Sequence, residues 1–306
     1  MRISICICTF KRPEGLRKAL ESIAALTMPA DCELDALVVD NDAAGSAREL
    51  VLSLQGGFPL PLRYECEARN GVGYARAHCL HASSGSWIAF IDDDEWAERD
   101  WLSALVATAR ATQADAVFGP VPPAYRQVMD QTLLALSYFE RPRFPTGTRL
   151  NWQQCATGNV LFKRQLYLDV GGFKADFSVS GGEDSEFFSR CERHGAKLIW
   201  CDEAVANEDI PPERATRRWI LQRAYIGGNN FARMRRARGG WPAYAPDALR
   251  GMFGFAAFGF AALLARLMRS PRQLALECKA ATGLGKLTAM AMAPGNSYGG
   301  RDSDHG

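Results

Sequence analysis

Over the first two thirds of the chain, hydrophobic residues fall in short runs separated by amphipathic stretches. Ile3 to Cys8 is β-branched and apolar and ends at Thr9-Phe10-Lys11-Arg12. Pro13 suits the first turn of a helix, where its missing N–H costs nothing. Leu16, Leu20, Ile23 and Ala24 then mark one apolar stripe. Leu37-Val38-Val39 reads as a second strand closing in Asp40-Asn41-Asp42, with a helix from about Ser46 through Leu50, Val51 and Leu54. A short strand over 62–66 follows, and Arg69-Asn70-Gly71-Val72-Gly73 leads into a helix through Tyr74, Ala77 and Leu80. Trp87 to Ile91 is an unbroken apolar run, as expected of a strand covered on both faces. A helix over about 99–112 and a strand at 116–118 come next. This alternation of strand and helix predicts an α/β fold with a mostly parallel sheet flanked by helices.

The later chain is less regular. Prolines at 120, 122, 123, 142 and 145 bracket one expected helix over about 128–139. A strand pattern resumes over 156–162. Gly181-Gly182-Glu183-Asp184-Ser185-Glu186 opens a helix through Phe187, Phe188 and Cys191, and Leu198-Ile199-Trp200 is a last short strand. After Pro211-Pro212 the composition shifts. Eight arginines and no acid lie between Arg214 and Arg238, and residues 251–265 are uncharged and apolar between flanking arginines. Fifteen such residues fall short of the roughly 20 that span a bilayer. These breaks divide the chain into 1–210, a helical extension over 211–293, and a polar, Gly-rich tail over 294–306 expected to be disordered.

Composition narrows the classes. The 306 residues are 47% hydrophobic and 23% charged, ordinary for a globular protein; the net charge of +2 says nothing about partners by itself, but the acids concentrate before Pro211 and the arginines after it, and no nucleic-acid partner is expected. The nine cysteines show no CxxC pairing, which points to a reducing, cytoplasmic setting without structural zinc. Gly71-Val72-Gly73 is not a dinucleotide fingerprint, because Arg76 stands where a third glycine is needed.

The chemistry concentrates at Asp92-Asp93-Asp94-Glu95. Adjacent carboxylates at a strand end repel one another, and a hard divalent cation would turn that liability into a site. The carboxyl ends of strands are also where open α/β sheets bind ligands. The same acids also read as a turn that favours a following helix N-terminus. Glu183 and Asp184 carry the same double reading. Arg69 and Arg76 read equally as phosphate contacts or as solvated charges.

Cys8 to Pro13, Val38 to Asp42, Arg69 to Gly73, Phe90 to Glu95 and Gly182-Glu183-Asp184 resemble, in order, the serial motifs of the family-two glycosyltransferases. That resemblance implies a GT-A fold over about 1–205, a nucleotide-diphosphate sugar donor (UDP-sugar favoured), a divalent metal (Mg²⁺ or Mn²⁺) and inversion at the anomeric carbon. It places the metal on Asp94 with help from Asp92. Nucleotide contacts fall on Thr9, Phe10, Arg12, Asp40, Asn41, Asp42, Arg69, Arg76, Asp92 and Asp93. The catalytic base falls on Asp184, with Glu183 beside it. Asn41 replaces the second Asp of many relatives. The Thr157-Gly158-Asn159 segment and the Arg-flanked tail are similar to bacterial glucosyltransferases of lipid-linked exopolysaccharide assembly, such as those of succinoglycan. Arg218-Trp219 matches part of the motif of processive synthases, but Ala215 stands where its glutamine belongs, which argues against processivity. The acceptor implied is a glycan or lipid-linked saccharide, reached from a peripheral position on the anionic inner face of a membrane. Competing readings are a sugar nucleotidyltransferase and a membrane-peripheral nucleotide-sugar binding module without turnover.

Overall fold

The computed structural model describes residues 1–126, 131–178 and 181–289. In chain order the elements are β1 (Arg2–Thr9), α1 (Pro13–Ala24), β2 (Glu33–Asp40), α2 (Arg48–Gln55), β3 (Leu62–Cys66), α3 (Val72–Ala82), β4 (Trp87–Ile91), β5 (Glu95–Ala97), α4 (Trp101–Thr112), β6 (Ala116–Phe118), β7 (Pro123–Tyr125) and α5 (Gln131–Ala135). There follow β8 (Asn159–Lys163), α6 (Arg164–Asp169), α7 (Ala175–Ser178), α8 (Glu183–Arg193), β9 (Leu198–Trp200), β10 (Ala206–Ile210), α9 (Arg217–Leu267) and α10 (Gln273–Thr288). The chain forms two compact units. One comprises 1–124, 141–179 and 183–209, and the other comprises 125–140, 180–182 and 210–306.

The first unit is built on a seven-stranded sheet ordered β3-β2-β1-β4-β8-β6-β9. Pairs β1–β2, β1–β4, β2–β3 and β6–β9 are parallel, whereas β8 runs antiparallel to both β4 and β6. Alternation along β1 explains the two layers. Ile3, Ile5 and Ile7 face a core with Leu16, Leu20 and Trp101, while Cys6 faces one with Cys79, Phe162 and Phe187. All nine cysteines are free thiols.

A three-stranded sheet, β5-β10-β7, stands beside the large one. It changes the reading of the acidic stretch. The chain leaves β4 at Ile91, turns through Asp93-Asp94, and re-enters strand at Glu95, which pairs with Glu208. Helix α4 begins only at Trp101, so the acids do not lie in its first turn and its dipole does not account for them.

Asn159 fastens these layers together. Its amide donates to the carbonyls of Pro120 (3.0 Å) and Ala204 (2.7 Å), and its side-chain oxygen accepts from Trp101 Nε1 at 2.8 Å.

The second unit is largely α9 and α10. Helix α9 breaks at Gly239-Gly240, which are non-helical; Pro242 falls in the first turn of the arm that follows, where a missing N–H is tolerated, and Pro246 lies one turn further in. The apolar run expected at 251–265 lies within α9. Helix α9 contains an 18-residue window of mean hydropathy 1.6 with only 17% of it buried, long and apolar enough by length and composition to cross a membrane. The expected tail over 294–306 lies outside the described residues. So do residues 128–130 of the helix expected over 128–139; of its described remainder, Gln131–Ala135 is helical as α5 and 136–139 form turns.

Asn159→Leu is expected to lower stability by about 2–4 kcal/mol in urea unfolding, since it removes the partners of the Trp101 indole N–H and the Ala204 carbonyl, while the Pro120 carbonyl keeps the Ala206 N–H at 3.1 Å. A loss below about 0.5 kcal/mol would mean that the layers are not tied through this side chain.

Candidate active site

The acidic turn is ordered by cations and a hydroxyl. Asp93 is buried. Its carboxylate accepts from Thr9 Oγ1 at 2.9 Å and from Arg12 at 3.1 Å, and the same guanidinium reaches Asp94 at 2.9 Å. Burial pushes the Asp93 carboxyl up to about 6 even though Arg12 opposes the shift. Asp93 is thus the inward member of the triplet, with a side-chain exposure of 8%, against 17% for Asp94 and 37% for Asp92. Asp92 and Asp94 are the carboxylates left to meet a ligand.

Glu95, the fourth acid, is almost fully buried. Its carboxylate accepts from the Asp92 backbone N–H at 3.2 Å. Burial, then Asp92 and Glu208, push its carboxyl well up, favouring the neutral acid. Gly158 lies against this pair, where an added Cβ would stand 3.1 Å from Asp92 Oδ2 and closer still to Glu95 Oε1. A glycine is required there for packing, and it was quoted in the sequence only as part of a motif.

Arg76 connects the acidic turn to the second acidic element. Buried on α3, it donates to Asp92 Oδ1 at 3.1 Å and pairs with Glu183 Oε1 at the start of α8. Glu183 has no exposed surface, and its second oxygen, Oε2, has no hydrogen-bond partner. Its carboxyl is raised to about 7, by burial first and against the pull of Arg76, with Asp184 adding to the rise. Asp184, the next residue, is half-buried, and its Oδ1 accepts the Ser185 N–H at 2.6 Å. Glu186 is bound by Arg190 at 2.6 Å, and Arg190 also donates to the carbonyls of Val170 and Gly172, which anchors the first turn of α8. Of the three acids in this turn, Asp184 is the one not committed to an arginine in these pairs.

The other residues expected to touch nucleotide divide into two groups. Asp40 is fully buried; it accepts the backbone N–H groups of Asp42 (3.0 Å) and Ala47 (2.8 Å) and the Tyr64 hydroxyl (3.2 Å). Asn41 donates to the carbonyls of Glu67 (2.9 Å) and Arg69 (2.7 Å) and accepts from the Gly71 N–H (2.9 Å). Asp42 caps the Ala44 N–H at 3.1 Å. These three side chains shape the loops after β2 and β3. Arg69 forms a two-pronged pair with Glu67, holding that carboxyl down to about 2, and lies over the Tyr74 ring at 4.8 Å. Phe10 is half-buried with Lys11 over its ring. The structure gathers Thr9, Arg12, Asp93 and Asp94 into one bonded set and Asp92, Arg76 and Glu183 into another, the two meeting at the acidic turn, and holds Asp40, Asn41, Asp42 and Arg69 in a loop cluster after β2 and β3.

Among the described residues no three His, Cys, Asp or Glu side chains gather to hold a metal ion. The hard carboxylate oxygens of Asp92 and Asp94 nonetheless fit a cation such as Mg²⁺, which binds through one or two carboxylates and completes its shell with water and substrate phosphates.

Comparison with known proteins identifies the family. A family model described as Glycosyl transferase family 2 matches residues 4–170, and one described as N-terminal domain of galactosyltransferase matches 143–208. The chain is 34% identical over 235 residues to the Succinoglycan biosynthesis protein ExoM of Rhizobium meliloti, covering 76% of this chain and 75% of that one. It is 25% identical over 240 residues to the Glucosyl-dolichyl phosphate glucuronosyltransferase of Haloferax volcanii, covering 74% and 75%. Among solved structures, S. aureus TarS 1-349 in complex with UDP superposes with a TM-score of 0.56 at 14% identity, covering 95% of this chain and 90% of that one. GalNAc-T7 with UDP, GalNAc and Mn²⁺ gives 0.55 at 12% identity, covering 76% and 51%. The chain spans 65% of another TarS 1-349 structure matched at 0.55. The protein belongs to glycosyl transferase family 2 and has the GT-A-like fold; it is a glycosyltransferase, and the nucleotidyltransferase reading is set aside.

A carboxyl held above its unfolded value binds a proton more readily in the folded state, so stability falls as pH rises between the two values. For Glu183 that window runs from 4.5 to about 7, and for Asp93 from 3.8 to about 6. Glu183→Gln is therefore expected to flatten the fall in urea-unfolding stability between pH 4.5 and 7. A slope matching wild type would contradict a strained, buried carboxyl.

Proposed function

We propose that the enzyme transfers a sugar from a UDP-sugar to a hydroxyl of a saccharide acceptor, with inversion, in the assembly of a lipid-linked exopolysaccharide repeat. The observation that carries this reading is the Arg76 bridge, which joins partly exposed Asp92 to the segment that presents Asp184. In an inverting displacement the acceptor oxygen attacks the anomeric carbon on the face opposite the departing diphosphate, and its proton must go to a base on that face. Asp184 takes that role, because Glu183 and Glu186 are each bound to an arginine. Glu183 orients rather than reacts. The similarity to the succinoglycan protein supports the acceptor class, and the UDP-bound neighbours support the donor.

Asp92 and Asp94 would hold the divalent cation, Mg²⁺ or Mn²⁺, which supplies Lewis-acid stabilisation of the leaving diphosphate when bound. Two carboxylates already facing arginines make a weak site by themselves, so the nucleotide has to contribute oxygens. Phe10, Arg69 and the loop shaped by Asp40, Asn41 and Asp42 line the approach expected for the base and ribose. The exposed apolar arm of α9 supports a peripheral position on the inner face of a membrane, where a lipid-linked acceptor is found.

Asp184→Asn is expected to reduce transfer by about 10²-fold or more while UDP binding persists, measured by product formation and calorimetry. Asp94→Asn is expected to remove the Mn²⁺ enhancement of UDP affinity. Transfer within a fewfold of wild type in the first variant would exclude Asp184 as base. Unchanged Mn²⁺-dependent affinity in the second would exclude Asp94 as ligand.

A further inference from the structure

The second unit contains a cavity of about 470 Å³ between the two arms of α9 and α10. Arg223, Arg250, Lys279 and Lys286 contribute to its wall, and no carboxylate is among its described lining residues. The nearest acids in sequence are already engaged. Asp247 binds Arg235 (3.0 Å) and Arg250 (3.3 Å), and Glu277 binds Arg217 at 2.6 Å. Asp247 thus offsets part of the charge of Arg250, one of the wall cations, while the described lining itself carries two arginines, two lysines and no carboxylate. Its floor is made of glycines, and a side chain added at Gly227 would meet no atom within 4 Å.

We propose that this cavity binds the phosphate of an anionic lipid headgroup. A lining with two arginines, two lysines and no carboxylate suits phosphate, which accepts hydrogen bonds on several oxygens at once. The volume is ample for a phosphate or diphosphate head. The lipid source follows from the same helix. Gly251, Gly254 and Phe258 line the cavity on one face of the α9 arm. On the far side of the same arm, Phe253 (67%), Phe260 (64%), Leu264 (43%) and Leu267 (73%) form an exposed stripe. Helices α9 and α10 together offer cations for a headgroup, and the α9 arm adds exposed hydrocarbon for the surrounding acyl chains. This assignment concerns a second site and does not depend on the transfer chemistry.

The test uses the full chain in vesicle flotation with phosphatidylcholine containing 20% phosphatidic acid, and with phosphatidylcholine alone. Wild type is expected to bind the anionic vesicles at least about tenfold more tightly. Two variants attack the cavity differently. Arg223→Gln with Lys279→Gln removes charge, and Gly227→Leu fills the space while every cation stays. Both are expected to lose most of the anionic preference, whereas Arg266→Gln with Arg272→Gln, outside the cavity, is expected to retain most of it. Mn²⁺-dependent UDP binding by the same preparations reports that the variants are folded. The proposal is overturned if Gly227→Leu binds like wild type, or if the outside pair loses as much as the cavity pair. It is overturned as a lipid site if inorganic diphosphate alone binds wild type as tightly as the vesicles and displaces it from them.

Discussion

Arg76 is the constraint on which the candidate active site depends. A guanidinium with almost no solvent exposure lies between Asp92, at the end of β4, and Glu183, at the start of α8. Desolvating such ions is expensive, and removing one partner from a buried pair typically costs about 3–5 kcal/mol, because an uncompensated charge remains. The chain accepts that cost at the point where two segments nearly a hundred residues apart must hold a fixed separation. Asp92 keeps one oxygen on Arg76 and more than a third of its side chain open, so the bridge leaves it available to a ligand.

The remaining acids sort by the same logic. In each acidic segment, some carboxylates are buried and held by a cation or a backbone N–H, and others stay accessible. Asp93 and Glu95 are inward in the first segment and Glu183 and Glu186 in the second, which leaves Asp92, Asp94 and Asp184 outward. The inward acids fix the backbone on which the outward ones stand. Their raised proton affinities, at Asp93, Glu95 and Glu183, are the electrostatic cost of that arrangement.

Much of this was legible from residue order. The strands at 3–8, 37–39, 62–66, 87–91, 116–118 and 198–200 followed from apolar runs and their spacing, and the five motifs marked the polar loops. Direction was not legible: Val160-Leu161-Phe162 is a short apolar run whichever way it points, and only its pairing places it antiparallel between β4 and β6. β5 was hidden because Glu95 and Trp96 look like the end of an acidic turn. Within the site, sequence identified acids without dividing them into buried and open. Asn41, read against a missing aspartate, proves to be a three-way hydrogen-bonding residue between loops, a role set by partners at 67, 69 and 71. The joining of residues 131–140 to the C-terminal helices depends on tertiary contacts that local pattern does not encode.

If Arg76 makes one site of the two acidic segments, a change at Glu183 must be felt at Asp92. The direct measurement is the affinity for UDP with Mn²⁺, by calorimetry, in Glu183→Gln. Losing the Glu183 charge leaves Arg76 bound more tightly to Asp92, so UDP–Mn²⁺ affinity is expected to fall by about fivefold or more, with the fold intact. Affinity within twofold of wild type would show that the segments act independently and would contradict the account.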